Sequence, residues 1–288
     1  MTMMRLIHKL TAWIDDFQYN HRWLAFPYAV MRKFGEDQGS NRTALLTYYA
    51  FLALFPLLFA ATAGLQLVLR HDPHLQTAIL TRIDNSFPLL GSQLRGNINS
   101  VGKAGVALVF SIIVAVYGAR GAADAVRQTF DLFWGVPKRR RAGFPKGMFK
   151  SLGMIVAGGG ALLVAAVLSS LATSLGHGPL FKIIPTLISY GLLIVGLYAV
   201  QHIGVSGNSG SKHAFWLTAF LAATGSQLLQ TFGGYLMTHE LHTLNTPYGV
   251  FSITLALLFW IYLQAQIWLY AVEVGVVSRQ KLWPRRLF

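Results

Sequence analysis

The sequence predicts an all-α fold: a polytopic bundle of six transmembrane helices, with amphipathic helices at the N-terminus and between the first two spans. Three observations lead there. Six apolar stretches run at about 44–69, 104–126, 149–174, 179–203, 214–237 and 248–277, each long enough for the ~20 residues that carry a helix across hydrocarbon. Of the 288 residues, 54% are hydrophobic and only 12% charged, against about 25% charged in a soluble domain. Finally, 18 of the 24 Lys and Arg residues fall before the first span, in the alternate connections that share its side, or after the sixth. Five fall on the other side, counting Lys182 at the edge of its stretch as Lys150 is counted among the 18, and Arg120 lies deep within a span. Basic residues stay on the cytoplasmic side, so an inner-membrane protein with both termini cytoplasmic is expected.

Residues 1–43 read as cytoplasmic interfacial helices. Leu6, Leu10, Trp13, Ile14 and Phe17 recur at helical spacing over 3–17, and a second segment, Trp23 to Phe34, is interrupted by Pro27. Met1 to Asp16 has no uninterrupted apolar core, so no cleavable signal is expected. Gly35 through Asn41 break the pattern, and Ser40 or Asn41 can cap the first span.

The membrane domain occupies 44–277. Pro56 inside the first span removes a backbone hydrogen bond and is expected to kink it. The connection 70–103 carries helically spaced apolar residues on both sides of Pro88 and Gly91, which predicts a periplasmic amphipathic insert. The cytoplasmic connection 127–150 holds Trp134 and the run Lys138, Arg139, Arg140 and Arg141, placed to meet anionic headgroups at about 1 kcal/mol per charge. Gly158 to Gly160 in the third span permit close helix approach. Pro185 in the fourth is a second expected kink, and residues 204–213 form a polar connection. The last span is the clearest, with no charged residue from Val250 to Val272. A basic cytoplasmic tail, 278–288, follows. No internal repeat stands out.

Two segments resemble a known family. Thr43-Ala44-Leu45-Leu46-Thr47-Tyr48-Tyr49-Ala50-Phe51-Leu52-Ala53-Leu54-Phe55-Pro56-Leu57-Leu58 resembles the first-span signature of the YihY/BrkB membrane proteins, an alanine-rich start and an aromatic pair leading to Leu-Phe-Pro-Leu-Leu. Tyr248-Gly249-Val250-Phe251 through Trp260-Ile261-Tyr262-Leu263 and Glu273 resembles the family's last span. Between them, Gln128 to Trp134 and the basic run that follows are similar too. The chain departs from the family at Ala271-Val272, which replaces a Gly-Ala pair, and at the Gly/Ser-rich stretch 204–211. The resemblance implies an inner-membrane protein without an established reaction. Its members once carried a ribonuclease BN label, generally regarded as a misassignment, and some are linked to serum resistance or to export of envelope lipid and lipopolysaccharide.

Arg120 and Asp124 are the leading candidates for function. They lie four apart on one face of the second span, and an ionisable group within a span costs at least ~2.5–3.5 kcal/mol unless it faces a partner or a wet cavity. Glu273 lies at a similar depth in the sixth span. The functional expectation is a cluster of the three, accepting an anionic headgroup; the structural one is a buried ion pair tying spans together. Gln227, Gln230, Gln264 and Gln266 are expected to make interhelical hydrogen bonds, with Gln227 and Gln264 candidates for a substrate path.

Enzymatic chemistry finds little support. The chain has no cysteine, which removes disulfides and thiolate chemistry. His239-Glu240-Leu241-His242 places its second His one position too early for a zinc-protease motif, and no metal or cofactor is expected. Gly158-Gly159-Gly160 lacks the Gly-Lys-Ser/Thr of a phosphate loop. A net charge of +14 suits nucleic acid if read alone, but topology accounts for it. Only ten acidic residues exist, too few and too scattered for a ribonuclease. The expected function is transport of an anionic lipid or envelope glycolipid. The alternative is a scaffold binding an envelope-assembly protein partner, suggested by 70–103.

Overall fold

The computed structural model describes residues 22–68, 105–174, 179–207, 211–240 and 249–283. The expected helix at 3–17, the insert 70–103 and the end of the tail lie outside the described residues, as does His242. Among the described residues the secondary structure is helical throughout. A short helix α1 (Arg22–Glu36) precedes six long ones: α2 (Gly39–Val68), α3 (Gly105–Phe133), α4 (Lys146–Ser174), α5 (Pro179–Gly204), α6 (Lys212–Glu240) and α7 (Gly249–Gln280). Over their described residues, three stretches are long and apolar enough to cross a membrane: Lys146–Ala165, Thr186–Gly204 and Thr254–Gln280.

Each long helix packs on its neighbours in sequence, and α7 returns to α2, so the six close a ring. Contacts of α3 with α5 and α7 fill its middle, and α1 lies against α7 and α2. The outer surface is more apolar than that of a water-soluble bundle, and several polar groups are buried inside. Ile113, Val156, Leu163, Leu187, Phe220 and Phe259 are exposed on the outside, whereas Thr43, Arg127, Asp131, Ser151, Gln201 and Glu273 are buried. Such a molecule is at ease only where hydrocarbon surrounds it.

Several helix limits differ from the sequence reading. Helix α1 runs through Pro27; the proline costs one backbone hydrogen bond near the helix start, while Ala25 before it and Ala29, Val30 and Phe34 after it are buried. Phe34 stacks on Tyr270 with ring centroids 4.0 Å apart, and Phe26 meets Trp283 edge-on. Ser40 and Asn41 lie inside α2, not at its cap. The chain turns instead at Gln38, which has a φ of 54°. Gly39 must be glycine, because a Cβ there would collide with the Phe34 ring. Pro56 and Pro185 both sit within helices that continue past them.

Helix α3 extends about two turns beyond the expected span end, through 127–133, so the basic connection shrinks to 134–145. It stops in a Schellman turn: Val136 N–H donates to the Asp131 carbonyl at 2.8 Å and Gly135 N–H to that of Leu132 at 2.9 Å. Gly135 has a φ of 65°, the left-handed conformation this turn requires.

Small residues set the ring's closest approaches. Gly118 and Gly121 of α3 face Ala53 and Tyr49 of α2, and Gly158 of α4 faces Val200 of α5. Gly159 and Gly160 meet nothing. Helices α6 and α7 also approach closely at Gly275, where a Cβ would collide with the Thr218 methyl and lie 3.3 Å from the Ala214 carbonyl. Gly275→Ala is therefore expected to cost about 1–3 kcal/mol by overpacking, despite alanine's better helix propensity. Thermal melting in detergent should show the loss, and adding Thr218→Ser, which deletes the obstructing methyl, should recover part of it.

Candidate functional site

The polar chemistry of the described residues collects at one end of the ring, where the α1–α2 joint, the connection 134–145, the α5–α6 connection and the last turns of α7 meet. Residues 127–133 of α3 and the start of α4 form its floor. Arg127 is the hub. Its guanidinium donates to Asp124 Oδ1 through Nη2 at 2.7 Å and Nε at 3.1 Å, and through Nη1 to the Ala142 carbonyl at 2.8 Å. Nη1 also lies 3.7 Å from Asp131. Asp131 is fully buried and accepts from the Ser206 backbone N–H at 2.7 Å and its hydroxyl at 2.9 Å. Ser206 Oγ in turn accepts from Ala142 N–H at 3.2 Å. Lys150 donates to the Val205 carbonyl at 2.9 Å, and Ser151 to Asp124 at 3.3 Å. One network thus ties α3, the basic connection, α4 and the α5–α6 connection together. Aromatic rings pack beneath it: Phe130 on Trp268 and Trp134 on Phe215, both edge-to-face.

Arg120, Asp124 and Glu273 are not joined to one another. Asp124 is held by Arg127, Ser151 and Gln128, the last at 3.0 Å. Glu273 faces α1 instead. It is fully buried, neither carboxylate oxygen accepts a hydrogen bond, and the Lys33 ammonium stands 4.0 Å away. Lys33 also pairs with Asp37. The expected three-residue cluster is corrected to two separate acid–base groups, each acid taking the base that its own packing brings nearest. Arg120 is half-buried and, among the described residues, forms no hydrogen bond or ion pair.

Gln264 Nε2 donates to Ser226 Oγ across α6–α7, the interhelical bond expected of it, while Gln227 and Gln230 are exposed. A similar bond, Thr218 Oγ1 to Gln201 Oε1 at 2.5 Å, joins α5 to α6. Lys138, Arg139 and Arg140 form a 3-10 turn and stand fully out from the bundle; Arg141 is half-buried and donates to the Val136 carbonyl at 3.0 Å.

Arg127, Asp131, Ser206 and Lys33 were not anticipated. One signal was available: Asp124 precedes Arg127 by three residues, the favourable order for a same-helix pair. The helix simply continues farther than the apolar stretch.

A family model described as virulence factor BrkB matches residues 30–286. The chain belongs to the BrkB virulence-factor family. Its curated relatives include a UPF0761 membrane protein of Psychrobacter sp. (strain PRwf-1), 24% identical over 93% of this chain and 51% of the relative. Another, from Acinetobacter baylyi (strain ATCC 33305 / BD413 / ADP1), is 24% identical over 95% of this chain and 65% of its own length. An uncharacterized protein of Dickeya dadantii (strain 3937) is 30% identical over 30% of the chain and 27% of its own length. The chain therefore spans about half to two thirds of the two UPF0761 relatives. No solved structure matches it. Membership makes this a membrane protein, and the BrkB match takes in the whole polar end from Lys33 to Glu273.

Proposed function

We propose that this BrkB-family chain is a six-span inner-membrane protein, with both termini cytoplasmic, that translocates an anionic lipid or envelope glycolipid. Helices of 26 to 32 residues, six in number, are each long enough for a span, and the polar end carries the basic turn, which fits a cytoplasmic placement. In that placement Lys138, Arg139 and Arg140 meet anionic headgroups. The observation that carries the reading is the charge distribution within the ring: Asp124, Asp131 and Glu273 each lie beside a base at the polar end, while Arg120, farther along α3, has no counter-ion among the described residues.

The test is flux. The full chain is reconstituted into phosphatidylcholine vesicles containing a fluorescent phosphatidylglycerol, and transfer between leaflets is followed by chemical quenching. The wild type should accelerate transfer. Arg120→Gln should slow it about tenfold, equivalent to ~1.4 kcal/mol on the barrier, with its melting temperature in detergent unchanged. No flux from the wild type overturns translocation and leaves the scaffold reading, for which the region that suggested it, 70–103, lies outside the described residues.

A further inference from the structure

Helix α3 turns a polar stripe away from the core. Ile113, Tyr117, Arg120, Asp124 and Gln128 follow one another at spacings of four, three, four and four residues. At about 100° per residue they share a face, opposite Val126, Phe130 and Phe133, which pack into the core. Exposure follows the same division: Ile113 is 61% and Tyr117 74% exposed, the Asp124 side chain is 40% exposed, and Gln128 is exposed as well. Helix α2 borders the stripe on one side, through Ala53 and Tyr49 against Gly118 and Gly121. Helix α4 borders it on the other, through Ser151 on Asp124 and the backbone of Gly147 beside Arg127.

We propose that this stripe is the floor of a lateral groove, open to the bilayer between α2 and α4, in which the headgroup of an anionic phospholipid docks on Arg120. The assignment rests on the translocation reading and supplies its route: the outer wall of the ring and not its centre, which the aromatic core and the Arg127–Asp131 network fill. Charge selects the occupant. Asp124 is committed to Arg127, Gln128 and Ser151, so the groove's uncompensated charge is the Arg120 cation. A guanidinium at a hydrocarbon boundary needs an anion, and its planar donors fit a phosphate. Tyr117, one turn before Arg120, offers a hydroxyl to the rest of a headgroup, while Gln128, two turns on, is held by Asp124. The acyl chains then lie along exposed Ile113 and Val114.

Photocrosslinking tests the groove without requiring flux. Tyr117 is replaced by benzoylphenylalanine in the full chain; a second chain carries the photoreactive residue in place of Leu228, an exposed apolar position on α6. Both are irradiated in vesicles of equal parts phosphatidylglycerol and phosphatidylcholine, and the lipid adducts are identified by mass spectrometry. At position 117 phosphatidylglycerol should exceed phosphatidylcholine about fivefold, the preference expected of one unshielded basic contact; at 228 the ratio should match the bulk. Arg120→Gln should abolish the preference, and free glycerol phosphate in the buffer should leave it intact. Equal ratios at the two positions, or a preference that survives Arg120→Gln, overturns the groove. Competition by free glycerol phosphate overturns its assignment to a lipid. The wild-type comparison of the two positions decides the matter even where Arg120→Gln fails to fold. Flux that depends on Arg120 with no enrichment at 117 sinks the groove alone, whereas enrichment without flux sinks translocation alone.

Discussion

Asp131→Ala is expected to destabilise the bundle by about 3–5 kcal/mol, the usual result of removing one partner from a buried charged pair. The carboxylate accepts two hydrogen bonds from Ser206 and faces Arg127 at 3.7 Å. Alanine leaves a buried backbone N–H, a buried hydroxyl and part of a guanidinium without an acceptor, and each unmet group retains its full desolvation cost. Asp131→Asn keeps a carbonyl oxygen for Ser206 and should lose less. Ser206→Ala removes the hydroxyl's bond to Asp131 and the acceptor of Ala142 N–H but keeps the backbone bond, and should cost about 1–2 kcal/mol. Thermal melting of the purified chain in detergent checks the order. Equal stability of Asp131→Ala and the wild type would mean that the α5–α6 connection does not depend on this carboxylate.

Lys33→Met should destabilise less, for a reason that a double variant can isolate. Glu273 has no hydrogen bond, so the nearby ammonium is its only compensation among the described residues. Without it the carboxyl is buried with no cation beside it, and taking up a proton relieves most of that charge, so the loss should be about 1–2 kcal/mol. Glu273→Gln alone should be mild, because Lys33 keeps Asp37. The pair Lys33→Met with Glu273→Gln removes both charges and should recover most of the loss. Proteolysis reports the same event locally: Lys33→Met should expose α1 to cleavage, and the double variant should protect it. Additive losses in the double variant would show that the two side chains act independently.

Much of this was legible in the sequence for a simple physical reason. Length and apolarity mark a long helix wherever its neighbours happen to be, so α2 to α7 stood out as stretches. The first-span run from Thr43 to Leu58 pointed to the same family that the whole-chain match gives. Electrostatic partners were less legible. Arg127 and Asp131 lie past the apolar stretch of α3 and read as loop charges, yet the helix continues and buries them. Glu273 lies 240 residues from Lys33 in the chain, and no local pattern announces a contact made by tertiary packing alone. The isolation of Arg120 likewise emerged only once Asp124 was seen to be taken by Arg127.

The circular order of the helices has a consequence for biosynthesis. As the polypeptide emerges from the ribosome, each new stave can lean on the one made just before it, so assembly proceeds by short-range additions of low entropic cost. The final helix alone must reach back to the first, across more than two hundred residues. Until it is synthesised the barrel stands open along one seam, with Ser226 and Thr218 facing the gap. A nonsense codon anywhere before Gly249 would therefore produce an unclosed vessel rather than a slightly shortened one.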